Sequence, residues 1–220
     1  MSKQAKKARN SQDNKNLQLN SKKHGQDTNS SKNKNNPFNI FLQKKFYCKE
    51  LTVILDLDNT LIAALLLPAD PSKCDFLFAL QNGKQKTKIG VIKRPFIDSF
   101  LLALSSFATL YLFTTSEKDY TSEILTQIDP NGKFFSKIFT RVFCTQDGCK
   151  KYRKDFSICG ADMSRTLIVD DLPENLKDFP KNGICASPFN GDPNDHDLIR
   201  VFEEIIRLSV LDDVRDGFAA

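Results

Sequence analysis

The chain has 220 residues, of which 40% are hydrophobic and 27% are charged, and its formal net charge is +5. This length favours one folded domain with a substantial core, and the apolar runs are far too short to span a bilayer, so a membrane protein is not expected. The charge is uneven: residues 1–36 contain nine Lys or Arg and two acidic residues, so the rest of the chain has a net charge of −2.

Residues 1–36 are rich in Asn, Lys, Ser and Gln and poor in apolar residues. Such a segment cannot bury enough apolar surface to offset the entropy of ordering, which predicts a disordered basic tail. The tail could serve as a nuclear address, as a nonspecific polyanion contact or only as a solubilising segment. The folded domain is predicted at 37–212, with a short C-terminal tail at 213–220.

No secretory signal is recognisable at the N-terminus, and the six cysteines form no C-x-x-C pair. Both features indicate reduced thiols in the nucleus or the cytoplasm. Since the basic charge belongs to the tail, we expect no specific nucleic-acid binding by the folded domain. We also expect a monomer without membrane attachment.

The first predicted element is a strand at Leu51–Leu55, whose apolar run is typical of a strand buried on both faces. A loop is predicted from Leu61 to Asp75. The next two segments, Phe76–Leu80 and Thr87–Lys93, flank Asn82-Gly83, and Asn-Gly is the strongest short signal for a β-hairpin.

Helices and strands alternate in the rest of the chain, which predicts an α/β fold with a Rossmann-like parallel sheet flanked by helices. One helix is predicted to begin at Arg94-Pro95, and a second to run from about Glu117 to Gln127 with Ser116 as its N-cap. The remaining predictions are strands at Phe107–Phe113, within Phe134–Phe143, at Thr166–Val169 and at Ile184–Ala186, and a closing amphipathic helix at Asp195–Leu208.

Polar residues follow three of the predicted strands. They are Asp56 and Asp58, then Thr114 and Thr115, then Asp170 and Asp171, and Lys154 precedes the last of these strands. In open α/β sheets ligands bind at the carboxyl ends of the strands, so these side chains should meet there. Clustered carboxylates repel one another, and a bound Mg²⁺ would relieve that repulsion with the oxygen ligands it prefers.

The spacing of Asp56 and Asp58 suits two roles in phosphoryl transfer. Asp56 is the candidate nucleophile, which would form an aspartyl-phosphate, and Asp58 the candidate general acid and base. Thr114 and Lys154 could hold the phosphoryl oxygens. Taken singly, these residues are also explained as turn residues, a helix cap and a solvated lysine, and only their joint order indicates a site.

The pattern Asp56-x-Asp58-x-Thr60 resembles the D-x-D-x-T motif of the haloacid dehalogenase superfamily. The surrounding residues narrow the resemblance to the phosphatases of the RNA polymerase II C-terminal domain and their NLI-interacting-factor-like relatives. The further matching segments are Lys93–Phe96, Phe113–Ser116 with Tyr120, Arg141 with Cys144, Tyr152–Ser157 and Ile168–Pro173.

The resemblance implies roles for particular residues. It implies that Asp56 is the nucleophile and Asp58 the acid and base. Mg²⁺ would be held by Asp56, the Asp58 backbone carbonyl, Asp170 and Asp171, and the phosphate or substrate would be contacted by Thr114, Thr115, Lys154, Tyr120 and Arg141.

By the same resemblance the protein is a Mg²⁺-dependent protein phosphatase, a phosphoric monoester hydrolase acting on phosphoserine or phosphothreonine, with the polymerase C-terminal domain as a candidate substrate. The segment between the first motif and Arg94 has room for a small hairpin but not for a lid domain, which favours a macromolecular substrate. Two alternatives remain open: a small-molecule phosphatase of the same superfamily, and a non-catalytic binding protein on the same fold. The sequence departs from the family pattern in one respect that bears on peptide specificity: Ala63–Leu67 is aliphatic where relatives that read proline-containing phosphopeptides often carry an aromatic.

Overall fold

The computed structural model describes residues 36–38, 50–66, 70–83, 85–146 and 151–218, so residues 1–35 of the predicted tail lie outside it. In chain order its strands are β1 Leu51–Leu55, β2 Ile62–Leu66, β3 Phe76–Asn82, β4 Gln85–Lys93, β5 Ala108–Phe113, β6 Phe135–Phe139, β7 Thr145–Gln146, β8 Tyr152–Arg153, β9 Thr166–Asp170 and β10 Gly183–Cys185. Its α-helices are α1 Ile97–Ser105, α2 Lys118–Ile128, α3 Pro173–Leu176 and α4 Asp197–Ser209.

Five of these strands form a parallel sheet in the order β10-β9-β1-β5-β6. β1 lies at the centre, paired on one side with β5 and on the other with β9. This arrangement confirms the predicted α/β fold with a parallel sheet. It also places the carboxyl ends of β9, β1 and β5 next to one another.

The sheet is buried on both faces, which explains why its central strand is apolar throughout. Val53 and Leu55 point into a core shared with α1, α2 and α4. Ile54 points to the opposite face, where it joins a smaller cluster with Phe113 and Phe156. Successive residues of a strand alternate between faces, so a strand covered on both sides needs apolar residues at every position.

A second, antiparallel sheet lies between β1 and α1 in the sequence. The predicted hairpin is present as β3 and β4, and Gly83 adopts the positive φ of 60° that its turn requires. The prediction of a loop from Leu61 to Asp75 is wrong in part, because Ile62–Leu66 forms β2 and pairs with Ile89–Lys93. This run lacks the alternation of apolar and polar residues that is typical of a half-buried strand. It is extended because it pairs with β4, which is distant in the sequence.

Two helix boundaries also differ from the predictions. α1 begins at Ile97, and the preceding Phe96, expected inside the helix, has a left-handed φ of 71°. α2 begins at Lys118 with Glu117 at the N-cap position, so Ser116 does not cap it. The Ser116 hydroxyl instead donates a hydrogen bond to Asp58, 58 residues earlier.

Arg94 joins the inserted sheet to the loop before α4. Its guanidinium is fully buried and makes two hydrogen bonds to the Asp195 carboxylate, at 2.7 and 2.8 Å. It also donates to the backbone carbonyls of Thr60 and Ser187, at 3.0 and 2.8 Å. One side chain therefore fixes the loop after β1 relative to two distant segments.

The fold includes residues near both predicted domain boundaries. Phe38 is buried, and Asn36 donates a 2.8 Å hydrogen bond to Ser99. A short 3₁₀ helix at Val214–Gly217 lies beyond the boundary predicted at 212, and Val214 is buried. No helix in the described part of the chain combines the length and the apolar character that crossing a membrane requires.

Candidate active site

The polar residues predicted to meet do lie at the carboxyl edge of the three central strands. Leu55 is paired with Leu112 of β5 and with Val169 of β9, so the residues that follow it emerge between the ends of both neighbours. The backbone N–H of Asp56 continues the ladder by donating to the Val169 carbonyl at 2.9 Å. The sheet register therefore brings Asp56 beside Asp170.

A buried ammonium group lies between these two carboxylates. Lys154 Nζ is 2.5 Å from Asp56 Oδ1 and 2.7 Å from Asp170 Oδ2, and all three side chains are buried. Burial raises the pKa of the Asp56 carboxyl to about 7, although the Lys154 charge acts in the opposite direction. Burial alone would lower the pKa of Lys154, but Asp56 and Asp170 reverse the direction and raise it.

Asp171 completes a group of three carboxylates. One oxygen each from Asp56, Asp170 and Asp171 lies within 4.8 Å of the others. Burial and the Asp170 charge raise the pKa of Asp171. When all three carboxyls are ionised, they and one ammonium leave two negative charges in a buried space, which a divalent cation would balance. The donors are all oxygens, so the group fits Mg²⁺.

The Thr60 hydroxyl connects the two ends of this group. Its Oγ1 lies 3.2 Å from Asp56 Oδ2 and 3.3 Å from Asp171 Oδ1, and it accepts a 3.1 Å hydrogen bond from the Asp171 backbone N–H. A hydroxyl has one proton and can donate to one carboxylate at a time. The preceding Asn59 has a left-handed φ of 59°, which asparagine tolerates well, and this turn returns Thr60 towards Asp56.

The Asp58 carboxylate lies outside the group of three, in different surroundings. Ser116 Oγ donates to its Oδ2 at 2.6 Å, and the Tyr120 hydroxyl donates to its Oδ1. Burial, and then the Asp58 charge, raise the pKa of Tyr120, so the phenol keeps its proton. The sequence led us to expect four clustered carboxylates, but the hydroxyls of Ser116 and Tyr120 hold the fourth one apart.

Thr114 lies between these two regions. Its backbone N–H donates to the Phe139 carbonyl at 2.9 Å, and its buried Oγ1 accepts a 3.0 Å hydrogen bond from the Ser116 N–H. The same Oγ1 is 3.5 Å from Asp58 Oδ2, the upper limit of a hydrogen bond. The Thr114 hydroxyl thus makes only a long hydrogen bond to Asp58, which a substrate oxygen above the sheet edge could replace.

Thr115 and Arg141, both predicted to contact phosphate or substrate, contact each other. Arg141 Nε donates to the Thr115 carbonyl at 2.8 Å, its Nη1 is paired with Glu117 at 2.7 Å, and its guanidinium lies 4.8 Å from the centre of the Tyr152 ring. These contacts hold the loop between β5 and α2 in place. They do not test whether Arg141 binds substrate, and that role stays a prediction.

Three residues that shape the site were not predicted from the sequence. Thr60 is a member of the first motif without a predicted role, Ser116 was predicted only as a helix cap, and Asn175 had no predicted role. Asn175 Nδ2 donates to both oxygens of Asp170, at 3.0 and 3.1 Å. A polar residue in the first turn after Asp170-Asp171 is a weak signal that could have indicated Asn175.

Comparison with known proteins identifies the family. Residues 51–215 match the family model for the NLI interacting factor-like phosphatase. The nuclear envelope morphology protein 1 of Schizosaccharomyces pombe is 30% identical over 165 residues, which cover 75% of this chain and 34% of that protein. The carboxy-terminal domain RNA polymerase II polypeptide A small phosphatase 2 of Mus musculus is 29% identical over 164 residues, covering 74% of this chain and 59% of that protein.

A solved structure supports the fold assignment. The fission yeast RNA polymerase II CTD phosphatase bound to beryllium fluoride matches with a TM-score of 0.54 at 22% identity, over 73% of this chain and 50% of that one. The chain thus spans between about a third and three fifths of the length of these three proteins. The family model covers the whole sheet and every residue of the site described above. The chain belongs to the NLI interacting factor-like phosphatase family.

Proposed function

We propose that this protein is a Mg²⁺-dependent protein phosphatase that hydrolyses phosphoserine or phosphothreonine through an aspartyl-phosphate on Asp56. The observation that carries the proposal is the contrast between two aspartates in one loop. Asp56 lies in the buried group beside Lys154, whereas Asp58 lies outside that group and is held by two hydroxyls. Distinct surroundings suit distinct roles in one reaction.

In the first step an Asp56 oxygen attacks phosphorus and the bond to the substrate oxygen breaks. Asp58 gives its proton to the departing serine or threonine oxygen, which would otherwise leave as a poor alkoxide. In the second step Asp58 takes a proton from water as that water attacks the phosphorus of the aspartyl-phosphate. Free phosphate leaves, and Asp56 regains its carboxylate while Asp58 regains its proton.

The phosphoryl oxygens carry negative charge throughout transfer and need fixed positive partners. Lys154 and Thr114 are the candidates, because both are buried at the same sheet edge and each has a proton to donate. Thr115, Tyr120 and Arg141 remain candidates for contacts with the rest of the substrate.

Asp56 and Asp171 are the residues best placed to hold Mg²⁺, with Asp170 and the Asp58 carbonyl as further candidates. Asp170 already accepts from Lys154, Asn175 and the Leu172 N–H, whereas Asp171 Oδ1 is approached only by Thr60 among the side chains the structure describes. When bound, Mg²⁺ would polarise the phosphoryl group and offset the charge of the cluster.

The surroundings of the site favour a protein substrate over a small metabolite. Within the described residues, the segment between β1 and α1 forms the sheet β2-β4-β3 and a short 3₁₀ helix at Pro71–Lys73, and no separate lid domain. The Phe78 ring of that sheet lies 5.7 Å from the ring of Tyr120, which makes an aromatic wall next to Asp58. With no lid domain in these residues, an extended peptide could lie along this wall.

The names of the relatives make the C-terminal domain of RNA polymerase II a candidate substrate and the nucleus a candidate location. The cytoplasm remains the alternative location. A small-molecule phosphatase and a non-catalytic binding protein remain the alternative functions, but the presence of every candidate catalytic residue speaks against a protein without activity.

The test is phosphate release from a panel of phosphoserine, phosphothreonine and phosphotyrosine peptides and sugar phosphates, with Mg²⁺ or with excess chelator. We expect release from the phosphoserine or phosphothreonine peptides that requires Mg²⁺ and disappears in Asp56→Asn. A preference for sugar phosphates would support the small-molecule alternative. No release from any substrate by a folded, Mg²⁺-loaded protein would support the binding protein.

A further inference from the structure

A cavity with basic walls adjoins the active site on the side of β9. It measures about 700 Å³, and its lining includes Thr115 and Asn175. Thr115 follows the phosphate-binding candidate Thr114, and Asn175 donates to Asp170. The cavity therefore shares walls with the site and is not a separate depression on the surface.

Positive charge predominates in this cavity, which we call the basic pocket. Lys151, Arg153 and Lys177 line it together with one acidic residue, Glu174. In the described part of the chain Lys177 is exposed and takes part in no ion pair. Arg153 is paired with Asp178 at 2.9 Å, but both side chains are more than half exposed, and such a surface pair contributes little and can exchange partners.

Beyond Tyr152, which lines both cavities, the neighbouring surface has no such excess of charge. A cavity of about 540 Å³ there is lined by Glu117 and Asp119 and by Lys118 and Arg141, so acids and bases balance. Arg141 is already paired with Glu117. Of these two neighbouring cavities, only the basic pocket has an excess of basic over acidic lining residues.

We propose that the basic pocket binds a second anionic group of the substrate, a phosphate or a carboxylate within a few residues of the phosphoserine or phosphothreonine that is hydrolysed. The proposal rests on the phosphatase function proposed above and adds a preference to it. A phosphopeptide with a second phosphate or an acidic residue at the right distance would place that group against Lys177 and Arg153, while the reacting phosphate lies above Asp56.

The experiment compares kcat/KM for a set of phosphoserine peptides. One peptide has neutral flanking residues, and the others carry a single Asp or a second, non-hydrolysable phosphoserine analogue at each position up to four residues on either side. Lys177→Glu reverses one charge of the basic pocket. Lys118→Glu, an exposed lysine of the balanced cavity, is the matched control with the same change of charge.

We expect at least one doubly anionic peptide to be preferred over the neutral one by about threefold or more, a preference that weakens as salt is raised. Lys177→Glu should abolish or invert that ratio, and Lys118→Glu should leave it within about twofold. Comparing the peptides that carry Asp with those that carry the phosphoserine analogue shows whether the basic pocket prefers a carboxylate or a phosphate. Because the readout is a ratio between two peptides, a general loss of activity does not affect it.

Equal kcat/KM for the neutral and all doubly anionic peptides would overturn the proposal, and so would a preference that both lysine variants alter equally. In either case turnover of the singly phosphorylated peptide would still uphold the phosphatase function. Failure of that function would appear differently, as absence of Mg²⁺-dependent release from every peptide.

Discussion

At the scale of single residues, the site depends on hydroxyl groups that hold carboxylates in position. Ser116 and Tyr120 each donate to a different oxygen of Asp58, which fixes the plane of that carboxylate. The Thr60 hydroxyl lies between Asp56 and Asp171 and can donate to either carboxylate, one at a time. The acidic residues supply the chemistry, and the hydroxyls decide where each acid points.

Ser116→Ala should therefore impair protonation of the leaving group without unfolding the protein. Removing one hydrogen bond of about 1.4 kcal/mol to Asp58 should lower kcat on a phosphoserine peptide about tenfold, and the first step on an aryl phosphate much less. Ser116→Thr keeps a hydroxyl at this position and should retain most of the activity on the phosphoserine peptide. Ser105→Ala, whose hydroxyl bonds only within α1, is the control. Equal losses on both substrates would show that Ser116 acts on the fold and not on Asp58.

Asp171→Asn tests the metal assignment. Burial and the neighbouring Asp170 raise the pKa of Asp171, which means that the ionised Asp171 carboxylate is unfavourable in the folded protein. Without metal, the neutral Asp171→Asn variant should therefore be at least as stable as the unaltered protein. Calorimetric titration should nevertheless show that Mg²⁺ binds about tenfold more weakly or worse. Asp178→Asn, at an exposed acid, should change neither quantity. Unchanged Mg²⁺ affinity together with a large loss of stability would make Asp171 a structural residue.

At the scale of elements, Arg94 connects the inserted sheet, the loop after β1 and the loop before α4. Arg94→Ala leaves Asp195 and two backbone carbonyls without their partner, and breaking such a buried pair costs about 3–5 kcal/mol. We expect denaturant unfolding to show a loss of this size. Lys93→Ala, which breaks the surface pair with Asp98, should cost less than about 1 kcal/mol. A loss below about 1 kcal/mol for Arg94→Ala would contradict the role of Arg94 as a connector.

The elements also show what the sequence could and could not predict. The apolar runs and the Asn82-Gly83 pair were sufficient to predict β1, β5, β9 and the hairpin, because strand burial and hairpin turns leave local patterns. In the structure Asn82 still belongs to β3 and pairs with Gln85. β2 was missed because Ile62–Leu66 is extended only through its pairing with β4. The partner of Ser116 was equally hidden, since it lies 58 residues away in the sequence. Residue types at strand ends predicted which groups meet, but only the structure shows how each is oriented.

At the scale of the whole molecule, the folded core includes Phe38, close to the predicted start of the domain. Its ring packs edge-on against Phe202 at 4.8 Å and against Phe100 at 6.3 Å, and it is buried. Phe38→Ala should therefore lower the free energy of unfolding by about 3–5 kcal/mol. Removal of residues 1–34 should leave both stability and aryl phosphate turnover unchanged, as the composition of that segment predicts. A large loss on removing residues 1–34 would mean that the tail packs on the domain.

The central claim is that Asp56 and Asp58 divide one reaction between them, and the kinetics of Asp58→Asn test it most directly. A serine alkoxide needs a proton as it leaves, so phosphoserine hydrolysis should fall about 10²–10⁴-fold. A nitrophenolate leaves without one, so an aryl phosphate should still give a burst of one equivalent and then stall, with phosphate trapped on Asp56. Asp56→Asn should show neither burst nor turnover. Equal slowing of both substrates by Asp58→Asn, with no burst, would contradict the two-role mechanism.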